Sequence, residues 1–348
     1  MNVRVLILAI VLVLVASLAC LAGDGNPVIF AAFAGDGGGL HNTRILVESV
    51  RSFGGGLKDA PVWIYAPGIL LKTEKELVED LVALGAVVKA SDAPDESRAF
   101  GLAGKVFASA KAEADAVGTA PILVWMDDDT VVLKEPGEFI LAGGTSLGYR
   151  PVMHQNIGSL YSEKPNEFWA RVYRDLSVPG AAVFPMKTVA DGKTLRPYFN
   201  AGLLVVKPAR GILRKWAACF TVLYRDTVLV DMCGRDERTR VFLHQAALSG
   251  AILNLLKRDE MGELSDRYNY PIFFKEMYGA DREFDSIDGV VTLRYDVYFQ
   301  KPAPDWAERL KGPAATVSWL KERLGGGRVR KEDASTKMRF RFQHGGKG

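Results

Sequence analysis

Apolar runs of five to eight residues alternate with segments of helical periodicity in the first part of the chain. The runs are typical of buried strands and occupy residues 26–33, 61–65, 86–90 and 121–126. The intervening segments have apolar positions at three- and four-residue spacing and occupy residues 42–53, 73–84 and 99–116. This alternation favours a mostly parallel central sheet with helices on both faces, so we predict an α/β fold class.

Local signals predict where two of these helices begin. The glycines in AGDGGGLH, residues 34–41, are typical of a strand-to-helix turn, so the first helix is expected to begin after them, at Asn42. Thr73 and Glu76 have the spacing of a capping box and are expected to begin the second helix.

Residues 1–23 are expected to form a separate N-terminal segment. Residues 5–22 contain one non-hydrophobic residue and follow a start with a single positive charge, at Arg4. The small Ala22 fits cleavage of a secretory signal, whereas the apolar length also fits a membrane anchor. Both alternatives, and lipidation of Cys20, place the rest of the protein in the secretory pathway or another extracytoplasmic space, either secreted or single-pass anchored.

The rest of the chain divides into residues 24–324, which we predict to be one folded domain, and a basic tail, residues 325–348. The tail carries seven Lys or Arg against two acidic residues and is expected to be a flexible extension or a contact for anionic lipid. The whole chain has a net charge of only +3, so the body is mildly acidic and no nucleic-acid partner is expected. Its 48% hydrophobic residues exclude a disordered protein.

Three consecutive aspartates follow the fourth predicted strand. Asp127, Asp128 and Asp129 come directly after PILVWM, and ligands of open α/β sheets bind at such strand ends. In extended backbone, Asp127 and Asp129 point the same way. Two carboxylates with a common direction suit Mg²⁺ or Mn²⁺, which also bind a diphosphate. An acidic turn that caps the next element is the structural alternative.

Four segments, in order, resemble family 8 of the GT-A-type nucleotide-sugar glycosyltransferases, the glycogenin-like and galactosyltransferase-like family. They are WMDDDTVV at residues 125–132, RPYFNAGLLVVKP at 196–208, FLHQAALSGAI at 242–252 and LSDRYNYPIFF at 264–274. They resemble, respectively, the family's DxD motif and its Phe-Asn-Ala/Ser-Gly, Asp-Gln-x-x-Leu-Asn and Leu-Pro-x-x-Tyr-Asn segments. The resemblance implies a GT-A fold and transfer of a sugar from a UDP-sugar donor to a glycan, protein or lipid acceptor. It also implies retention of configuration and assistance by Mn²⁺ or Mg²⁺.

The resemblance implies roles for residues at matching positions. Asp127 and Asp129 would hold the metal, and Asp128 would lie beside the donor that the metal binds. The other implied donor contacts are Asp36, Lys105, Asn200, Ala201 and Gly202. Gln245 would lie near the anomeric carbon, which makes Gln245 and Asn200 the candidate catalytic residues.

Two positions depart from the family pattern. The family's late His-x-x-Gly-x-x-Lys-Pro motif supplies a third metal ligand, but VVTLRYDVYFQKPAP, residues 290–304, keeps Lys301 and places Arg294 where the His would align. An arginine cannot ligate a metal. Arg294 is expected to pair with the diphosphate, as Lys301 is, or Asp296 is expected to substitute as an oxygen ligand. The second departure is His244, which replaces the family's Asp before the Gln.

His244 and His154 are candidate acceptor-binding residues, with packing inside the fold as the alternative for each. The lack of an evident catalytic base fits the retaining outcome, whereas an inverting enzyme would use a carboxylate, for which Asp191 and Asp231 are candidates.

Two alternative functions remain open from the sequence. One is a catalytically inactive, GT-A-like extracytoplasmic binding protein. The other is a nucleotidyltransferase, which would need a cation-bearing glycine loop after the first strand, where the sequence offers only Arg44.

Cys219 and Cys233 could form a disulfide or be buried as small apolar residues. Aromatic residues in segment 166–176 have helical spacing, which fits a packed helix or stacking on a sugar.

Overall fold

The computed structural model describes residues 27–279, 284, 286–299 and 301–324. The predicted N-terminal segment, including Cys20, and the basic tail lie outside the described residues. None of the described helices combines the length and apolar character needed to span a bilayer.

A seven-stranded sheet forms the centre of the fold. The strands in the described part of the chain are β1 (Val28–Phe33), β2 (Val62–Ala66), β3 (Ala86–Ala90), β4 (Ile122–Met126), β5 (Thr130–Val132), β6 (Leu147–Pro151), β7 (Met186–Lys187), β8 (Thr194–Leu195), β9 (Phe199–Val206), β10 (Met261–Glu263), β11 (Tyr270–Pro271) and β12 (Thr292–Arg294). The central order is β10-β6-β9-β4-β1-β2-β3, and β9 alone runs antiparallel to its neighbours. A smaller sheet has the order β11-β12-β5.

Helices cover both faces of the central sheet. The described helices are α1 (Gly37–Phe53), α2 (Gly68–Thr73), α3 (Lys75–Ala83), α4 (Ala103–Ala116), α5 (Glu167–Asp175), α6 (Ile212–Arg225), α7 (Thr227–Arg235), α8 (Glu237–Leu255), α9 (Phe274–Tyr278), α10 (Asp296–Phe299), α11 (Trp306–Arg309) and α12 (Ala314–Leu324). Successive strand side chains point to opposite faces, so Ala31 packs in a core with α4, α6 and α8, and Phe30 in a core with α1 and α3. The predicted α/β fold class is confirmed.

The prediction that the first helix begins at Asn42 is wrong, because the glycines form its first turn. Asp36 is the N-cap and accepts a hydrogen bond from the Gly39 amide at 2.7 Å. A Cβ atom at Gly39 would lie 3.1 Å from the Ala34 Cα, so this turn packs directly against the end of β1. The glycines therefore allow a close approach of helix and strand rather than a loop.

The predicted capping box at Thr73 and Glu76 is also wrong. Thr73 is the last residue of α2, and its hydroxyl donates to the Leu70 carbonyl at 3.1 Å. The next helix begins at Lys75, and the Glu74 side chain makes no capping hydrogen bond. The short helix α2, which the periodicity did not reveal, takes Thr73 into its own last turn.

Two alternatives left open by the sequence are decided by packing. Cys219 and Cys233 are buried as free thiols, so no disulfide joins them. In α5, Phe168 and Trp169 are buried in the main core, and the Trp169 indole donates to the Ile157 carbonyl at 2.6 Å. These aromatic rings are therefore packing residues.

Glu113 joins α4 to the start of α6. Its fully buried carboxylate accepts from the amides of Leu213 at 3.1 Å and Arg214 at 2.9 Å, which are N–H groups without partners inside α6. Burial raises the pKa of Glu113, against the effect of these hydrogen bonds.

We expect Glu113→Ala to lower the free energy of unfolding by about 3 kcal/mol, because it leaves the buried Leu213 amide and the part-buried Arg214 amide without their acceptor. Glu113→Gln keeps an acceptor oxygen and is the matched control, with an expected loss of less than half of that value. Urea denaturation of both variants measures the difference. Equal losses in the two variants would contradict this role of the carboxylate oxygens.

Candidate active site

The sheet topology brings four chain segments to one edge. The strands β1, β4 and β6 end there, and β9 begins there because it runs in the opposite direction. A cavity of about 740 Å³ opens at this edge. It is lined by all but two of the site residues predicted from the sequence, namely Asp36, Lys105, Asp127, Asp128, Asp129, His154, Asn200, Gly202, His244, Gln245 and Arg294.

The two exceptions are Ala201 and Lys301. Ala201 is buried in the core behind the cavity, since its neighbours in β9, Asn200 and Gly202, point the other way. Lys301 is exposed and is not part of the cavity lining. The side chain of Asp296 lies outside what the structure describes.

The aspartate triplet forms a tight turn between β4 and β5. The Thr130 amide donates to the Asp127 carbonyl at 3.2 Å, which closes the turn. The triplet is therefore not in the extended backbone that we expected for it. The sequence alone could not reveal the turn, because strand β5 begins at Thr130, directly after Asp129.

Each of the three carboxylates has a different neighbour. Asp127 forms an ion pair with Lys105, from the first turn of α4. Asp128 accepts a hydrogen bond from the Asn42 side chain at 3.3 Å. The Asp129 Oδ2 atom lies 3.8 Å from the Arg294 Nε atom. Sequence reasoning missed Asn42, whose contact crosses 86 positions of the chain.

Gly202 lets the β9 backbone approach the triplet closely. The Asp127 amide donates to the Gly202 carbonyl at 2.9 Å. A Cβ atom at Gly202 would lie 2.7 Å from the Asp127 Oδ2 atom and 3.0 Å from the Asn200 Oδ1 atom. Only glycine therefore fits between these two side chains as they stand.

Two buried amide side chains are oriented by the backbone of β9. The Asn200 Oδ1 atom accepts from the Gly202 amide at 2.8 Å, and the Gln245 Oε1 atom accepts from the Ala201 amide at 3.4 Å. Because the oxygens serve the protein, each side chain presents N–H groups to the cavity, and for Gln245 one of them is also a hydrogen-bond partner of Tyr198.

His244 is a neutral residue of the cavity wall. Its Nδ1 atom lies 2.8 Å from the Val241 carbonyl oxygen, and a carbonyl only accepts, so Nδ1 carries the proton. The Nε2 atom is then an acceptor. Burial, followed by the charge of Lys105, lowers the pKa of His244 to about 3.

We expect that His244 does not titrate between pH 5 and 9. The pH profile of kcat/KM for the reaction catalysed at this site should therefore be the same in wild type and in His244→Asn. This variant keeps a donor for Val241 and an acceptor, whereas His244→Phe removes both and is expected to lose about 10-fold in kcat/KM. Rates measured across this pH range test the expectation. A profile that loses an inflection in His244→Asn would contradict it.

The β6 end of the cavity carries His154 and a short polar hairpin. Burial lowers the pKa of His154, whose ring lies 5.7 Å from that of Tyr278. Burial alone would raise the pKa of Asp191, but hydrogen bonds from Thr188 and from the Gln155 amide hold it below its usual value. Sequence reasoning missed Tyr278, which carries no motif.

The two candidate bases lie in different places. Asp191 lines the cavity, with Lys193 beside it. Asp231 is exposed on α7, pairs with Arg235 at 2.5 Å and is not part of the lining.

The predicted Mn²⁺ or Mg²⁺ was tested against the side chains present. Carboxylate oxygens are suitable ligands for these ions. However, Asp127 faces Lys105 and Asp129 faces Arg294, so a dication at these two carboxylates would stand beside two protein cations. The arrangement therefore does not fit the predicted metal site. Within the described residues there is no group of three His, Cys, Asp or Glu side chains that could hold a metal ion.

Comparisons with known proteins identify a family and several similar folds. The model of the Rhodobacterales glycosyltransferase domain family matches residues 32–255. The chain is similar to the galactosyltransferase LgtC in complex with donor and acceptor sugar analogues, at 16% identity and a TM-score of 0.45, over 86% of this chain and 93% of LgtC. It is also similar to mouse xyloside xylosyltransferase 1, at 12% identity and a TM-score of 0.46, over 80% and 99% of the two chains. No curated protein matches the chain.

Proposed function

Because the chain belongs to the Rhodobacterales glycosyltransferase domain family, we propose that it transfers a sugar from a UDP-sugar to a hydroxyl group of a glycan, protein or lipid acceptor, with retention of configuration. The predicted enzyme class, a glycosyltransferase, is confirmed by the family match. This favours an enzyme over a catalytically inactive binding protein. The extracytoplasmic location and the membrane association predicted for residues 5–22 remain proposals.

One observation supports the proposal: residues that the resemblance relates to the donor and to the acceptor line one cavity, at the ends of successive strands of the central sheet. Asp36 lies at the end of β1, the aspartate triplet at the end of β4, and Asn200 on the adjacent strand β9. His154 follows β6, the next strand along. A donor bound across these strand ends would put its nucleoside near Asp36 and its sugar between the triplet and the acceptor side.

The proposed reaction breaks the bond between the anomeric carbon and the diphosphate oxygen, and forms a bond from the acceptor oxygen to the same face of that carbon. Negative charge develops on the departing diphosphate, beside Lys105 and Arg294. The N–H groups of Asn200 and Gln245 would donate to oxygens of the sugar and of the leaving group. The proton of the acceptor hydroxyl goes to the departing phosphate oxygen.

This scheme needs no side-chain base. Asp191 is the cavity carboxylate on the acceptor side, but its hydrogen bonds from Thr188 and Gln155 lower its basicity, as its low pKa indicates. An inverting reaction would need a carboxylate to accept the proton, and Asp191, whose oxygens already accept from Thr188 and Gln155, is poorly suited to that role.

The test is an assay of the purified protein with a panel of nucleotide sugars, each with a hydroxyl acceptor or with water. We expect hydrolysis or transfer with a UDP-sugar, and proton NMR of the first product should show the anomeric configuration of the donor. A product of opposite configuration would overturn the retaining mechanism. No turnover and no nucleotide binding with any member of the panel would overturn the proposed function.

A further inference from the structure

We infer that Lys105 and Arg294 together bind the donor diphosphate and that nucleotide binding at this site does not require a divalent cation. The inference rests on the proposed function and concerns the same site. Two ion pairs, Lys105 with Asp127 and Arg294 with Asp129, involve the first and third residues of the aspartate triplet.

The backbone fixes Arg294 beside the triplet. In the register of β12 with β5, Arg294 lies opposite Thr130, and the Tyr295 amide donates to the Asp129 carbonyl at 3.2 Å. On its other side, the Arg294 carbonyl accepts from the Ile272 amide at 2.8 Å. The guanidinium lines the cavity, and its side chain is only 17% exposed. Its position is therefore set by two strand neighbours and does not depend on a flexible loop.

Lys105 contacts the first aspartate of the triplet. It comes from the first turn of α4, pairs with Asp127, and has a side chain that is 12% exposed. The two cations thus stand at the first and third aspartates of the turn. A diphosphate that spans the turn would contact both cations.

The negative charge of the remaining aspartate, Asp128, is stabilised by other groups of the protein. The Asp128 carboxylate accepts from Asn42 and lies at the N-terminal turn of α1, 3.0 Å from the place that a Gly39 Cβ would occupy. The positive end of a helix dipole stabilises a carboxylate there. Each of the three carboxylates is therefore balanced by the protein itself, by Lys105, by the start of α1 or by Arg294.

Arginine is well suited to this role and poorly suited to a neighbouring metal. Its guanidinium keeps its charge at any physiological pH and can donate two parallel hydrogen bonds to a phosphate. A dication bound to Asp129 would lie close to this fixed positive charge, and like charges repel strongly in a partly buried site. Arg294 therefore takes the place of the cation rather than supporting it.

The test is the binding of UDP by isothermal titration calorimetry, in EDTA and in Mn²⁺. For the wild type we expect dissociation constants that differ by less than about 3-fold between the two conditions. Arg294→Gln should weaken binding in EDTA by about 10-fold or more, the size of a lost charge-assisted contact. Arg235→Gln, at an exposed arginine outside the cavity, is the matched control and should bind UDP like the wild type.

Arg294→His gives the sharpest comparison, because it removes the fixed charge and supplies a metal ligand. We expect it to bind UDP weakly in EDTA and to recover most of the affinity when Mn²⁺ is added. Electron paramagnetic resonance of Mn²⁺ with UDP should show bound metal in Arg294→His and mostly free metal in the wild type.

Two other results would have distinct meanings. If the wild type binds UDP only with Mn²⁺, and Arg294→Gln binds as well as the wild type, the inference is overturned and the proposed function stands. If neither UDP, GDP nor ADP binds in either condition, the proposed function fails and the inference fails with it.

Discussion

Gly202→Ala is expected to lower kcat/KM for sugar transfer by about 100-fold, because an added methyl group would displace two side chains of the site at once. The new Cβ atom would lie 2.7 Å from the Asp127 Oδ2 atom and 3.0 Å from the Asn200 Oδ1 atom. Non-bonded atoms do not approach this closely, so Asp127 and Asn200 must move. Asp127 is tied to Lys105, so its movement also shifts the cation that we place at the diphosphate.

The measurement is steady-state transfer or donor hydrolysis, together with the thermal midpoint of unfolding. Gly137→Ala is the matched control, since a Cβ atom there has no neighbour within 4 Å, and it should leave both quantities near the wild-type values. Gly202→Ala with more than half of the wild-type kcat/KM would show that the close approach of β9 is not needed for catalysis.

Four of the seven strands in the central sheet, β1 to β4, were predictable because they carry a local signal. In a sheet covered on both faces, every strand position is buried, so β1, β2 and β4 appear as uninterrupted apolar runs. The errors arose at helix ends. Asp36 and Thr73 both have cap-forming side chains, and the role of each depends on what precedes it: β1 runs straight into α1 at Asp36, whereas α2 ends at Thr73.

The position of the site was predictable from the topology of the sheet. The side chains that contact each aspartate of the site were not predictable. The acidic triplet follows an apolar strand, and such strand ends are where α/β sheets bind ligands. The partner of each aspartate comes from elsewhere in the chain: Lys105 from α4, Asn42 from α1 and Arg294 from β12. No local pattern links these positions, because the contacts are made by the sheet order and by the register of β12 on β5.

The resemblance to family 8 supplied Asn200 and Gln245, and the structure adds the direction of their hydrogen bonds. Both side-chain oxygens accept from β9 amides, which leaves N–H groups for a ligand. A sequence comparison alone cannot distinguish an amide that donates to the substrate from one whose oxygen faces the anomeric carbon. The two roles predict opposite results for one substitution.

Gln245→Glu is expected to reduce kcat for sugar transfer by about 100-fold or more, because it replaces the donating N–H group with a carboxylate oxygen while keeping the acceptor for the Ala201 amide. Rapid-quench or steady-state rates should show the loss in kcat. The dissociation constant of UDP should change by less than about 3-fold, the range of a minor rearrangement.

If the oxygen of Gln245 instead stabilises positive charge on the sugar, Gln245→Glu would retain or exceed the wild-type rate. Mass spectrometry would then detect a sugar bound to the substituted side chain. Such a result would reverse the role that the Ala201 contact assigns to this residue and would place a carboxylate, rather than an N–H donor, at the reacting carbon.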